Sequence, residues 1–148
     1  LFFNCTARKW ITFRDNVHFI HTAGIHRQFA KDCSVSVNEG FTVTYVAMQL
    51  AFYMGFKEVA LVGCDHSFAA NGFPNETAVA GKRDMDHFDN GYFARGEIWQ
   101  FPDLIACELH YDTARRVFER HGGKIVNCTE GGSLEIFERQ SLSEFLQS

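Results

Sequence analysis

Three short stretches bring together side chains able to do chemistry. Asp65 and His66 follow the apolar run V-A-L-V-G at residues 59–63 after one intervening residue, Cys64. In open parallel sheets ligands bind beyond the carboxyl ends of the strands. An acid there is placed to hold a ribose hydroxyl, a cation or an acceptor hydroxyl, with His66 and Ser67 beside it for a nucleotide. The plainer reading is an aspartate that caps a turn. The second stretch, Gly40, Phe41, Thr42, Val43 and Thr44, enters a helix. Free N–H groups, the positive end of the helix dipole and two hydroxyls can together cradle a phosphate, which makes Gly40, Thr42 and Thr44 nucleotide-binding candidates. The lysine and spacing of a Walker loop are missing, and an ordinary capped helix looks similar.

The third stretch is D-M-D-H-F-D-N-G-Y at residues 84–92. His87 suits a general base, because its charge changes near neutral pH and neighbouring carboxylates tune it. Tyr92 suits a donor to a departing phosphate. Asp84, Asp86 and Asp89 could instead hold Mg²⁺ through oxygen, and a merely solvated acidic loop is the third alternative. His18, His21, His26, His110 and His121 read as structural residues, with His21 near a strand's carboxyl end.

These stretches need elements to position them. Residues 1–4 read as a strand already under way, so the chain reads as an excerpt lacking its N-terminus. A strand is expected at 17–21, a short helix over 25–31 and a short strand at 34–37. Val43, Val46, Ala47, Leu50, Ala51 and Met54 fall at helical spacing on one face, and Gly55 closes that helix. Residues 59–62 form a continuous apolar run, as in a strand covered on both faces. Residues 64–96 show no periodicity and read as a long polar loop, the kind used as a lid or binding loop. A second long helix starts at Ile98 or Asp103 and ends near Arg120. A strand at 124–127, a loop at 129–133 and a last helix at 141–146 complete the pattern. This order predicts a single α/β domain, a Rossmann-like, doubly wound, mainly parallel sheet that lacks its first strand–loop unit.

Composition narrows the functions. The 148 residues have 46% hydrophobic and 22% charged side chains and a net charge of −4, ordinary for a soluble globular protein. The basic residues are scattered, so a duplex nucleic acid is not an expected partner. Five widely spaced cysteines without a C-x-x-C pair argue against a disulfide framework and a zinc ribbon, and for a reducing, cytoplasmic setting. No apolar run reaches the length of a membrane span, and no signal peptide is visible. Sixteen Phe supply core, and can also wall a pocket that stacks on a flat ring. Nothing in the composition excludes a homo-oligomer.

T-V-T-Y-V-A-M-Q-L-A-F-Y-M-G-F-K-E-V-A-L-V-G-C-D-H-S-F (residues 42–68) resembles the domain shared by archaeal 6-hydroxymethylpterin diphosphokinases and bacterial motility-associated glycosyltransferase-like proteins. D-H-F-D-N-G-Y-F (86–93) and G-G-K-I-V-N-C-T-E-G-G-S-L-E-I-F (122–137) are similar to the same family, so the resemblance spans residues 17–137. A more distant similarity is to bacterial sialyltransferases of Rossmann-like fold; that analogy implies His87 as catalytic base and Tyr92 as an aid to phosphate departure. The family's Gly-rich first loop has no counterpart here.

Two enzyme readings follow. A glycosyltransferase takes a nucleotide-sugar and a hydroxyl acceptor, in surface polysaccharide or glycoprotein biosynthesis, and would use Asp65, His87 and Tyr92 without obligatory metal. A diphosphokinase would transfer from ATP and use Mg²⁺ on Asp84, Asp86 and Asp89. The glycosyltransferase is the preferred expectation. A non-catalytic binding module is the third reading.

Overall fold

The computed structural model describes residues 1–24, 28–67, 72–79, 96 and 98–147. Along the chain, β1 (Phe2–Asn4) leads through a 3-10 turn (Cys5–Lys9) to β2 (His18–Ile20), and α1 (Val43–Tyr53) leads to β3 (Glu58–Leu61). Then follow β4 (Thr77–Val79), β5 (Ile98–Gln100), the long α2 (Leu104–Arg120), β6 (Lys124–Asn127), β7 (Glu138–Arg139) and the single-turn α3 (Leu142–Phe145). The architecture is α/β. β1 pairs with β2 in parallel, and β3, β6 and β7 form a parallel sheet in the order β3-β6-β7. β4 and β5 pair antiparallel.

Local chemistry sets the helix limits. Thr42 is extended (φ −156°, ψ 139°) and its hydroxyl accepts from the Thr44 N–H at 3.2 Å, capping α1. Asp103 does the same for α2 by accepting from the Ala106 N–H at 2.9 Å. Both helices stop in a Schellman motif with glycine in the left-handed region, Gly55 (φ 88°) and Gly122 (φ 70°). At α1 the Phe56 N–H donates to Ala51 O and Gly55 N–H to Phe52 O; at α2 Gly123 N–H donates to Phe118 O and Gly122 N–H to Glu119 O. Each stop feeds a parallel strand within a few residues, and Lys124 N–H donates to Lys57 O at 2.8 Å to start the β3–β6 register.

The main core lies between α1, α2 and the β3-β6 pair. Tyr45 and Met48 come from α1, Tyr111, Ala114 and Phe118 from α2, and Ile125 from β6. Phe29 packs edge-on against the rings of Tyr45, Phe52 and Phe118. A smaller cluster of Cys33, Val37 and Leu50, with Ile20 and Val46, sits on another side of α1.

Several expectations are corrected. The α1 face is rotated: Val43 is 81% exposed and Met54 52%, while Tyr45 and Gln49 are 0% exposed. The reason is the Gln49 carboxamide. Its Oε1 accepts from the Ala30 and Asn38 N–H groups, both at 3.0 Å, and its Nε2 donates to Asn38 O at 2.8 Å and Tyr45 O at 3.1 Å. A fully paired carboxamide is tolerated in a core. β3 is less covered than its apolar run suggests: Glu58 is exposed, Val59 and Ala60 are half-buried, and Val62 is 63% exposed, whereas in β6, the central strand of the three among the described residues, Ile125, Val126 and Asn127 are buried. Residues 34–37 form no strand beyond an isolated parallel bridge of Val37 with Thr22. Of the helix expected over 25–31, residues 25–27 lie outside the described residues and 28–31 are irregular. The stretch 64–96 is not wholly loop, since 77–79 pairs with 98–100; that pairing also rules out a helix start at Ile98.

Gln49→Met keeps the volume but strands the Ala30 and Asn38 N–H groups. It should lower the urea-unfolding free energy on the order of 3 kcal/mol. Met54→Gln on the exposed side should change it by less than about 0.5 kcal/mol. Equal effects of the two would contradict the rotation of α1 described above.

Candidate functional site

β3 and β6 end side by side, and the segments that follow them are tied together. Cys128 N–H donates to Leu61 O at 2.8 Å, Cys64 N–H to Thr129 Oγ1 at 3.0 Å, and Ser133 N–H to Asp65 O at 2.7 Å. Gly132 lies so close that a Cβ there would stand 2.6 Å from Asp65 O, which glycine alone avoids. Arg139 pins the same loop by donating to the carbonyls of Thr129, Gly131 and Gly132 while pairing with Glu135 at 2.9 Å. Above this floor opens a cleft of about 650 Å³ whose lining includes Gly63, Asp65, Thr129, Glu130, Arg139 and Glu144. Asp65 is exposed in it. The Glu144 carboxyl is held below its ordinary range by the Ser141 hydroxyl and N–H in a capping box. The charged side chains on this cleft are Asp65, Glu130, Glu144 and Arg139, and Arg139 is already engaged by carbonyls and by Glu135.

His66, the next residue, faces elsewhere. Its backbone is in the left-handed region (φ 52°), uncommon outside glycine though less so for asparagine, aspartate and histidine. Its ring is 6% exposed, its Nε2 is 3.2 Å from Glu108 Oε1 on α2, and its centroid is 5.9 Å from that of Tyr111. Tyr111 reaches across to α1, where its hydroxyl donates to Thr42 Oγ1 at 3.4 Å. The start of α1 and the end of β3 thus meet at one tyrosine.

Burial governs the electrostatics of this junction. It pushes the Tyr111 hydroxyl well above its ordinary range, a shift that the Thr42 hydroxyl opposes. It likewise raises Cys64, offset by the Tyr111 hydroxyl, raised further by the Asp65 carboxylate and eased by the Thr44 hydroxyl. Cys107, whose Sγ lies 3.7 Å from Phe41 O, is pushed up to about 11 by burial and by Asp103. All five cysteines are free thiols. His110 packs against Tyr45 (5.0 Å between centroids) and donates from Nδ1 to Ala106 O at 2.7 Å, which leaves its buried Nε2 as an acceptor without a partner among the described residues.

Of the residues expected at a site, Thr42 and Thr44 on α1 are brought to Cys64 and His66 through Tyr111. Gly40 (φ 58°) lies just before, against Tyr45 and His110. Asp65 is separated from this group, in the neighbouring cleft, and Ser67 is exposed. His87, Tyr92, Asp84, Asp86 and Asp89 lie outside the described residues. Among the described residues no group of three or more His, Cys, Asp or Glu is placed to hold a metal ion, and no helix is long and apolar enough to cross a membrane. Glu108 and Tyr111 were not anticipated. Their i,i+3 spacing beside the buried stripe of Cys107, Ala114 and Phe118 was the available signal. No protein-family model, curated protein or solved structure matches the chain.

The buried hydroxyls and thiols give a pH test. Tyr45 is pushed up to about 12 by burial, Tyr111 shifts the same way, and Cys33 and Cys107 rise to about 11. Folded values above unfolded ones mean stability that is present at neutral pH and lost as pH rises, because the unfolded chain releases its protons first. The urea midpoint should therefore fall steadily from about pH 9 to about pH 11, and Tyr45→Phe should make that fall shallower. A midpoint flat over this range would contradict the burial described.

Proposed function

We propose that the chain is a nucleotide-dependent transferase of the glycosyltransferase-like kind, built on a Rossmann-like, doubly wound framework. In this reading it moves a sugar from a nucleotide-sugar to a hydroxyl acceptor in surface polysaccharide or glycoprotein biosynthesis, in the cytoplasm. The observation that supports it is the meeting of the capped start of α1 with the carboxyl end of β3 at Tyr111, near a cleft whose lining includes Asp65, Glu130 and Glu144. Parallel strands present their ligands at this end, and a helix start favours phosphate.

The chemistry divides accordingly. The α1 start, with Gly40, Thr42 and Thr44, takes the nucleotide phosphate, and His66 and Ser67 flank it. Asp65 in the neighbouring cleft accepts hydrogen bonds from sugar or acceptor hydroxyls. His87 takes the acceptor's proton and Tyr92 assists the departing phosphate; both roles come from the sequence resemblance.

Thermal melting of the chain with CMP, CDP, UDP, GDP and ATP, each with and without Mg²⁺, tests this reading. A ligand binding only the folded state at 100 times its Kd stabilises by about 2.7 kcal/mol, a shift of several degrees. A rise with a cytidine, uridine or guanosine nucleotide that needs no Mg²⁺ is expected. A rise confined to ATP with Mg²⁺ would replace this proposal with the diphosphokinase reading, and no rise with any nucleotide would contradict both.

A further inference from the structure

The stretch A-R-K-W-I-T-F-R at residues 7–14 lies between β1 and β2 and carries large aromatic rings and cations on its surface. Trp10 is 80% exposed and Phe13 70%; Arg8, Lys9 and Arg14 are exposed, and Ile11 is half-buried. One exposed ring needs no explanation, but two within four residues, flanked by cations, mark an interaction surface. The segment is not a loose tail. Asn4 Oδ1 accepts from the Thr6 N–H at 2.9 Å to start the 3-10 turn, and Asn4 Nδ2 donates to Thr22 Oγ1 at 2.9 Å. Trp10 N–H and Ile11 N–H both donate to Ala7 O, and Val17 N–H donates to Arg14 O at 2.9 Å. The backbone is thus hydrogen-bonded on both sides of the exposed rings, which limits the entropy lost on docking. Charge selects the partner. Residues 5–14 hold three of the chain's 14 Lys and Arg and none of its 18 Asp and Glu, in a chain of net charge −4. The segment therefore attracts an anionic surface that the rest of the chain repels. Three cations are too few for the phosphate-neutralising face that a duplex requires. Unpaired bases need open ring faces to stack on. Here Lys9 Nζ lies over the Trp10 ring, 5.4 Å from its centroid, and Arg8 Cζ over the Phe19 ring at 5.3 Å. An anionic bilayer asks for what is present, amphipathic rings at headgroup level with cations beside them.

We propose that residues 8–14 form a membrane-docking loop. Trp10 and Phe13 enter the headgroup region of an anionic bilayer, while Arg8, Lys9 and Arg14 meet its negatively charged lipids. The attachment is peripheral and reversible, because two rings and three cations make a small anchor. It uses no residue of the candidate site and is independent of the transferase reading.

Co-sedimentation of the whole chain with vesicles tests this, using phosphatidylcholine alone and phosphatidylcholine with about 30% phosphatidylglycerol. The wild type should bind the anionic vesicles about ten-fold more tightly than the neutral ones, and lose most of that binding between about 0.05 and about 0.5 M salt. Trp10→Ser with Phe13→Ser, and separately Lys9→Gln with Arg14→Gln, should each weaken binding about ten-fold. All four side chains are exposed, so melting temperatures should stay unchanged. Brominated lipid should quench the wild-type tryptophan emission and not that of the serine variant, which separates insertion of the ring from adsorption by charge. Equal binding to both kinds of vesicle, binding unchanged in either variant, or no quenching would overturn the proposal. Tighter binding to a single-stranded oligonucleotide than to anionic vesicles would overturn it in favour of a nucleic-acid surface. None of these outcomes bears on the nucleotide-melting test of the transferase reading.

Discussion

A single buried carboxamide sets the orientation on which the rest of this structure depends. Gln49 makes four hydrogen bonds, three of them to main-chain groups of Ala30 and Asn38. With Asn38 it exchanges a donor and an acceptor as a neighbouring strand would, so an irregular segment is fastened to a helix without a sheet. Each of these partners is costly to leave unpaired in the interior. The helix is therefore held at the one rotation in which Gln49 points inward.

That rotation carries the rest. With Gln49 inward, Tyr45 enters the core between Phe29 and His110, and the preceding turn brings Thr42 to Tyr111. Leu50 and Val46 then serve the second cluster with Val37 and Cys33. The helix is thus buried on more than one side, which explains why a mostly apolar sequence with a weak stripe forms it. Tyr111 in turn joins α1 and the end of β3 to α2.

Much of the framework was legible in the sequence because its rules are local. Thr42, Asp103 and Ser141 cap helices as their residue types require, and Gly55 and Gly122 end them. Runs such as K-I-V-N announce strands through their own composition. What was not legible depends on partners far away in the chain. Gln49 reads as a polar interruption until its distant main-chain partners are known, so the apolar residues around it indicate the wrong face. β4 and β5 are three residues each, with Val79 and Ile98 largely exposed, so neither shows a periodicity. At the candidate site, the position of Asp65 and His66 just beyond a strand's carboxyl end was readable from the apolar run before them. Their divergence was not, since it depends on the left-handed turn at His66 and on Glu108, 42 positions further on.

The most direct test of the central claim, that the α1 start and the β3 end form one ligand site, is an amide chemical-shift map of the chain titrated with CMP and then UDP. The account predicts that signals from residues 40–44 and 64–67 move together, with one common Kd. Shifts confined to β1 and β2, or to β4 and β5, with residues 40–44 and 64–67 unmoved, would contradict it.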